Sequence, residues 1–261
     1  MLYEKKTPYY DGAVIFSVRD SYGDIVVVEN ERLRTLHFDS SARQSAISLN
    51  YPEKLELPYC RAMLSGFLFR PEPRSVLILG LGGGSLAKFM LERVGVLKVE
   101  AVELRKNVVQ LAHDYFSLPR DRHLSINVIS AEEFLLRKTS VKYDMIFIDL
   151  FNEHGMAPAL LSENFFDNCK NKLSSKGVLS INLWSGRKTP QLEKIKIRMR
   201  KAFGEQIYFL PIPRRGNVIA ILLNFQSRRL NKEMQQQCAT KLESKYQIEF
   251  VEFLNKLVTS N

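Results

Sequence analysis

The sequence predicts an α/β fold: a doubly wound, mostly parallel sheet preceded by a small antiparallel β domain. Three observations predict it. From Ser75 onward, short apolar runs of strand length alternate with segments of helical periodicity. Before them, alternating β-branched runs are separated by turn signals. Between the two regions, Arg70-Pro-Glu-Pro-Arg carries two prolines that stop a helix and mark a boundary. The chain has 261 residues, enough for one full α/β domain and a small companion. The expected division is residues 1–70 for the β domain with its linking helix. Residues 71–261 form the larger domain with the C-terminal helices.

Each element has its own signal. Ala13-Val-Ile-Phe-Ser-Val, Ile25-Val-Val-Val-Glu and Arg34-Thr-Leu-His-Phe-Asp alternate, and Ser21-Tyr-Gly-Asp and Glu29-Asn-Glu-Arg turn between them. Leu57 to Phe69 reads as a helix. Ser75-Val-Leu-Ile-Leu-Gly is a buried strand entering a glycine turn. Strands then follow at 99–103, 124–129, 143–149 and 177–183, and helices at 86–93, 107–116, 131–138, 163–173 and 190–203. The last two strands, 206–210 and 218–225, are separated by only Pro211-Ile-Pro-Arg-Arg-Gly-Asn, too short for a crossover helix, so they pair antiparallel. A parallel sheet ending in an antiparallel hairpin is the Rossmann-like, methyltransferase-type plan. Arg228 to Thr259 reads as helical and amphipathic.

Composition excludes several classes. No apolar run approaches the ~20 residues of a membrane span, and no apolar stretch follows the charged N-terminus as in a secretory signal. Cys60, Cys169 and Cys238 are odd in number and widely spaced, which fits neither a disulfide framework nor a metal site. A cytoplasmic protein with free thiols is expected. Basic residues exceed acidic ones by 38 − 28 = 10. That surplus allows a nucleic-acid partner but does not favour one, because no nucleic-acid-binding motif and no contiguous basic block accompanies it.

The chemistry concentrates at strand ends. Gly80-Leu-Gly-Gly-Gly-Ser lies where a strand feeds a helix, and Gly80, Gly82, Gly83 and Gly84 allow a tight turn and close approach of a ligand. A purely structural turn would look the same. Glu103 ends the next strand, where a carboxylate accepts both hydroxyls of a ribose. The missing Gly-x-Gly-x-x-Gly spacing favours a bare nucleoside over a pyrophosphate cofactor. Ser130 and Ala131 follow the third strand and face an adenine edge, or Ser130 caps the next helix with Glu133 at its third position. Asp149 closes the fourth strand ahead of an irregular loop, where it orients an amine, accepts its proton or caps the turn. His154 is a loop base or a surface residue. Trp184, the one tryptophan in the chain, walls the crevice or packs as core.

Together these residues resemble the spermidine synthase (polyamine aminopropyltransferase) family over about Leu33 to Phe225. Asp39-x-x-x-x-Gln44 is similar to its aspartate-glycine-x-x-glutamine signature, which puts Gln44 on the nucleoside. Tyr59-Cys-Arg61 stands where the family has tyrosine, histidine or glutamine, and glutamate, which gives Tyr59 a catalytic place. Val76-Leu-Ile-Leu-Gly-Leu-Gly-Gly-Gly, Val102-Glu103-Leu, Tyr143-Asp-x-Ile-x-x-Asp149 and Gly155-x-Ala157 resemble the glycine turn, the ribose-binding strand end and the catalytic loop. The resemblance implies an S-adenosylmethionine or decarboxylated S-adenosylmethionine donor, a polyamine acceptor, no metal, and a homodimer.

Four family carboxylates are replaced: Gly83, Asn152, Ser130 and Arg61 stand in their places. A decarboxylated donor ends in an ammonium, and its acceptor is cationic, so these losses weaken aminopropyl transfer. Arg61 is expected to repel a polyamine outright, while Gly83 would tolerate the carboxylate of the intact donor. Coulomb energy at about 4 Å and an effective dielectric of ~20 is about 4 kcal/mol per pair before screening. The competing readings are a weak aminopropyltransferase, a methyltransferase of the same family, a non-catalytic nucleoside- or partner-binding module, and a nucleic-acid-associated protein.

Overall fold

The computed structural model describes residues 10–152, 154–186, 190–213, 216–226 and 232–259. Four strands, β1 (Ala13–Asp20), β2 (Gly23–Glu29), β3 (Leu33–Phe38) and β4 (Arg43–Ser48), form an antiparallel meander in that order. Their alternation places Ile25, Val27, Leu36, Phe38 and Ile47 in one cluster with Val108, Leu111 and Phe116. The small sheet therefore packs on the helix that follows Glu103. Its outer edge, β1, leaves Val14 and Ile15 exposed.

The expected helix 57–69 is two elements. Helix α1 (Pro58–Met63) starts on a proline, whose missing N–H has no partner to lose there. At Leu64 the chain tightens into a 3₁₀ turn, Leu64–Leu68. The turn lies so close to the large sheet that a Cβ on Gly66 would sit 2.7 Å from Met145 Cε.

The alternating segments follow as β5 (Ser75–Leu79), α2 (Ser85–Phe89) with a π turn over Met90–Val94, and β6 (Lys98–Glu103). Next come α3 (Lys106–Tyr115), β7 (Leu124–Val128), α4 (Ala131–Leu136) and β8 (Tyr143–Ile148). The loop expected to be irregular holds a two-residue hairpin, β9 (Phe151–Asn152) and β10 (Gly155–Met156). Helix α5 (Phe165–Lys172), β11 (Leu173–Trp184), α6 (Pro190–Phe203), β12 (Ile207–Pro211) and β13 (Asn217–Leu223) complete the alternation. Helices α7 (Lys232–Tyr246) and α8 (Phe250–Lys256) and a short β14 (Val258–Thr259) end the described chain.

The large sheet runs β14-β12-β13-β11-β8-β5-β6-β7. Strands β11, β8, β5, β6 and β7 are parallel, and β13 pairs antiparallel with both β11 and β12 as the short connection requires. Two details differ from expectation. Strand β11 begins at Leu173 opposite Tyr143 and shifts register before Val178. Val258 and Thr259, expected to be helical, extend the sheet by pairing with Phe209 and Tyr208, since β12 would otherwise end it as an open edge. One face of the sheet packs on α1, the 3₁₀ turn, α2, α7 and α8, and the other on α4, α5 and α6. Strand β5 connects outward to β6, whereas β8 returns to its other side. The crevice beyond the carboxyl ends of β5 and β8 is therefore the topological switch point.

Candidate active site

A cleft of about 1460 Å³ opens at that switch point, between the large sheet and the meander. Gln44, Tyr59, Gly80, Gly82, Glu103, Ser130, Ala131, Asp149, His154 and Trp184, all singled out from the sequence, line it. Gly83 and Gly84 do not. Both are buried behind the turn. A Cβ on Gly83 would stand 2.6 Å from Ser45 Oγ and 2.9 Å from the Phe116 ring, and one on Gly84 would press on Leu118. The expectation that an aspartate at 83 would simply restore a charge therefore needs amending, because Ser45 and Phe116 would first have to move.

The front of the turn is different. Gly80 has φ +92°, and a Cβ there would lie 2.1 Å from the Asp149 carbonyl oxygen. Only glycine lets β5 turn against the chain leaving β8. Gly82 has φ +53° and nothing nearer its missing Cβ than Ser45 Cβ at 3.8 Å, so its face is open.

Glu103 is 9% exposed. Its Oε2 accepts from the Leu81 and Gly82 amides at 3.1 and 3.4 Å, and its Oε1 from the Arg105 amide at 3.0 Å. Burial pushes its carboxyl above the usual range, and those backbone bonds oppose the shift. Each oxygen keeps lone-pair capacity for a ligand hydroxyl. Beside it, Arg105 binds both carboxylate oxygens of Asp20 at 3.0 and 2.8 Å and the Gly23 carbonyl at 2.8 Å. This pair ties the β1–β2 turn to the end of β6. Burial works against the Asp20 charge, but Arg105 outweighs it and leaves that carboxyl lowered.

Asp149 sits deeper. Burial pushes its carboxyl up to about 6, while the hydrogen bond from Asn182 and the neighbouring Tyr59 hydroxyl pull it back. Asn182 Nδ2 donates to Asp149 Oδ1 at 2.9 Å, and Asn217 Nδ2 donates to Asn182 Oδ1 at 2.9 Å. The Tyr59 hydroxyl donates to the Gln44 carbonyl at 3.1 Å, which joins α1 to β4 across the cleft. Burial, and then the Asp149 charge, hold the Tyr59 phenol well above its ordinary value.

The capping reading of Ser130 holds. Its Oγ accepts from the Glu133 amide at 3.0 Å as the cap of α4, and its hydroxyl still lines the cleft. Asn152 closes the β9–β10 turn by accepting from the His154 amide at 2.9 Å, and His154 is exposed. Trp184 walls the cleft rather than the core and is 41% exposed. The expectation for Arg61 is overturned. Arg61 does not line the cleft. It turns to Glu249 at 3.1 Å and to the Leu55 and Glu56 carbonyls at 2.9 and 3.0 Å, so its charge is matched away from any acceptor.

Sequence reasoning missed Arg105 and Asn217. Arg105 lies two residues past Glu103, with no pattern to mark it. Asn217 pairs opposite Trp184 in the β11–β13 ladder, a long-range register that no local pattern marks. Among the described residues no group of three His, Cys, Asp or Glu is placed to hold a metal. No described helix is long and apolar enough to cross a membrane.

A Rossmann-like sheet with an antiparallel terminal hairpin carries, at its switch point, a glycine turn and two carboxylates, Glu103 and Asp149. The Spermine/spermidine synthase domain matches residues 61–233. The chain belongs to that family and is a transferase. It is 33% identical over 239 residues to the polyamine aminopropyltransferase of Chromobacterium violaceum, covering 91% of this chain and 90% of the relative. A spermidine synthase in complex with the transition state analogue AdoDATO superposes with TM-score 0.72 at 20% identity, over 93% of this chain and 83% of that one. Human methyltransferase-like protein 13 in complex with SAH gives TM-score 0.66 at 20% identity, over 73% and 93%. The last two likenesses concern the fold.

Proposed function

We propose that this chain transfers an aminopropyl group from decarboxylated S-adenosylmethionine to an amine docked at Asp149. The observation that carries the reading is one cleft joining a buried ribose-side carboxylate, Glu103, to a second buried carboxylate, Asp149, whose proton affinity suits exchange with an amine. The family and the ligands bound in the two superposed structures support the donor class. Glu103 would accept the ribose hydroxyls, Gly82 would admit the ligand against the backbone, Ser130 and Ala131 would face the adenine, and Gln44 and Tyr59 would close over it. The donor supplies a carbon activated by positive sulfur. The acceptor nitrogen displaces that sulfur with its lone pair. A C–N bond forms, the C–S pair goes to sulfur, and the nitrogen's proton passes to Asp149 and then to solvent. Alignment along this axis carries much of the acceleration.

Methyl transfer from intact S-adenosylmethionine is the second reading. It is favoured by Asn152, which lines the cleft and offers no carboxylate to a cation. The test is turnover of putrescine with each donor in parallel, read by product mass. The expected result is an aminopropylated product at a rate well below the usual enzyme range of ~1–10³ per second. A methylated product would establish the second reading, and no product with either donor would leave a binding module. We also propose a cytoplasmic homodimer, supported by the unpaired Cys60, Cys169 and Cys238 and the exposed apolar edge at Val14 and Ile15. A monomer by light scattering at micromolar concentration would remove the dimer.

A further inference from the structure

The large sheet ends differently on its two sides. On one side β14 pairs with β12 and covers it. On the other, β7 pairs with β6 alone and closes the order of strands. The β6–β7 register runs from Val99↔Leu124 to Glu103↔Val128 without a bulge, and Leu-Ser-Ile-Asn-Val carries neither charge nor proline. Bulges, charges and prolines are the devices that keep a free edge from pairing with another strand, and β7 has none of them. The His123 carbonyl accepts from the Val99 amide at 2.7 Å. Backbone groups alternate sides along a strand, so the amides of Ile126 and Val128 and the carbonyls of Leu124 and Ile126 point away from β6. Among the described residues no other strand takes them up.

Beside this edge runs a groove of about 690 Å³ between β7 and α3, which shares no lining residue with the cleft. Leu124, Ile126 and Val128 share one face of β7 and form its apolar floor with Val109. Val128 is 43% exposed. Lys106 and Arg120 line the groove as exposed cations. Among the described residues neither has an ion-pair partner. They stand at opposite ends of the strand. Lys106 opens α3 soon after Glu103, which pairs with Val128, whereas Arg120 lies in the loop that leads into β7. Asp121 is the one acid lining the groove, and its Oδ1 already accepts from the His123 amide at 2.7 Å. The groove is thus apolar along its floor, cationic at both ends and open on one side to backbone pairing.

We propose that β7 is a docking edge for an acidic segment of a partner protein, bound in extended form as an added strand. The outward amides and carbonyls would pair with the segment's backbone, and the floor would take its alternate apolar side chains. Lys106 and Arg120 would each meet a carboxylate, which sets the sign of the partner. A second copy of β7 fits poorly. Two-fold pairing of β7 with itself would run antiparallel and turn Lys106 of one copy toward Arg120 of the other, like charge against like. The surplus of ten positive charges over the whole chain acts in the same direction, drawing acidic partners and repelling a copy.

The experiment titrates the whole protein with the capped peptide Glu-Thr-Val-Thr-Val-Thr-Glu, which presents its acids and valines on one face. The lysine counterpart Lys-Thr-Val-Thr-Val-Thr-Lys is the control, and amide hydrogen exchange locates the contact. Expected is slowed exchange at the Ile126 and Val128 amides with the acidic peptide, and binding roughly ten-fold tighter than that of the control. Methylating every backbone nitrogen of the acidic peptide should abolish binding, since it removes the donors of the added strand. Lys106→Glu combined with Arg120→Glu, both on the surface, should reverse the preference between the two peptides. Equal affinity for both peptides, a preference unmoved by the double variant, or protection elsewhere than β7 would overturn the proposal. Protection of Ile126 and Val128 in the free protein that rises with its concentration would assign the edge to a second copy instead. Displacement of the acidic peptide by a single-stranded oligonucleotide would assign the groove to nucleic acid. Either result would also overturn it.

Discussion

Replacing Asp149 by asparagine is expected to stabilise the ligand-free protein while ending turnover. Burial raises the Asp149 carboxyl from an ordinary 3.8 to about 6, so the folded state holds its proton more tightly than the unfolded chain does. A raised carboxyl is fully accommodated below the unfolded value, and its contribution to stability is lost as pH rises through the folded one. The gap between 3.8 and about 6 corresponds to about 3 kcal/mol at neutral pH. Part of the side chain meets the open cleft, which screens the charge and brings the expected gain to about 1–3 kcal/mol. Asparagine keeps an oxygen to accept from Asn182, so the wall is preserved. For a chain of this length that is about 2–10 °C in Tm. The gain should be full above pH 7, roughly half at pH 5, and absent near the unfolded value. Scanning calorimetry of both proteins between pH 5 and 8 measures it. A gain that does not change with pH, or a loss of stability in the variant, would refute the argument that the protein bears a buried charge here for the sake of its chemistry.

Other substitutions separate the parts of the cleft. Glu103→Ala should abolish the Tm rise produced by methylthioadenosine, which thermal-shift titration reads directly. It should also cost about 1–3 kcal/mol by orphaning the turn amides. Gly80→Ala combines a left-handed φ with a contact at 2.1 Å and should lower stability by at least 2–3 kcal/mol in urea titration. Arg105→Met leaves Asp20 unmatched beside a nearly closed surface, and about 3 kcal/mol of destabilisation is expected, reduced in the double variant with Asp20→Asn. A double-mutant cycle that shows simple additivity would mean the pair does not act as a unit.

The strand and helix order was legible because its signals are periodic and long. Buried runs such as Val76–Leu79 and Phe147–Ile148, with glycine after one and aspartate after the other, place the cleft before any coordinates are seen. Side-chain direction was not legible. Arg61 reads as an intruder in an acceptor site, yet its partner Glu249 lies 188 residues along the chain, beyond any local pattern. Gly83 reads as a missing charge, yet its space is claimed by Ser45 and Phe116, which come from two other elements. The helix over 57–69 was found, but its change of pitch at Leu64 carries no local signal, and Gly66 in that turn lies against Met145 of the large sheet. Strand ends carry function visibly, whereas the contacts that orient a side chain are tertiary.

The Asp149 peptide rests on Gly80. Asp149 N–H donates to the Leu79 carbonyl at 2.9 Å, and its own carbonyl occupies the volume a side chain at 80 would need. Under the proposed function, the floor under one substrate would be the backbone of the residue that holds the other. A ligand that tightens the glycine turn would also narrow the positions open to the Asp149 carboxylate, and the free energy linking the two events must be the same in either direction. Cooperativity between the two ligands would then arise at a single peptide plane, with no moving lid required.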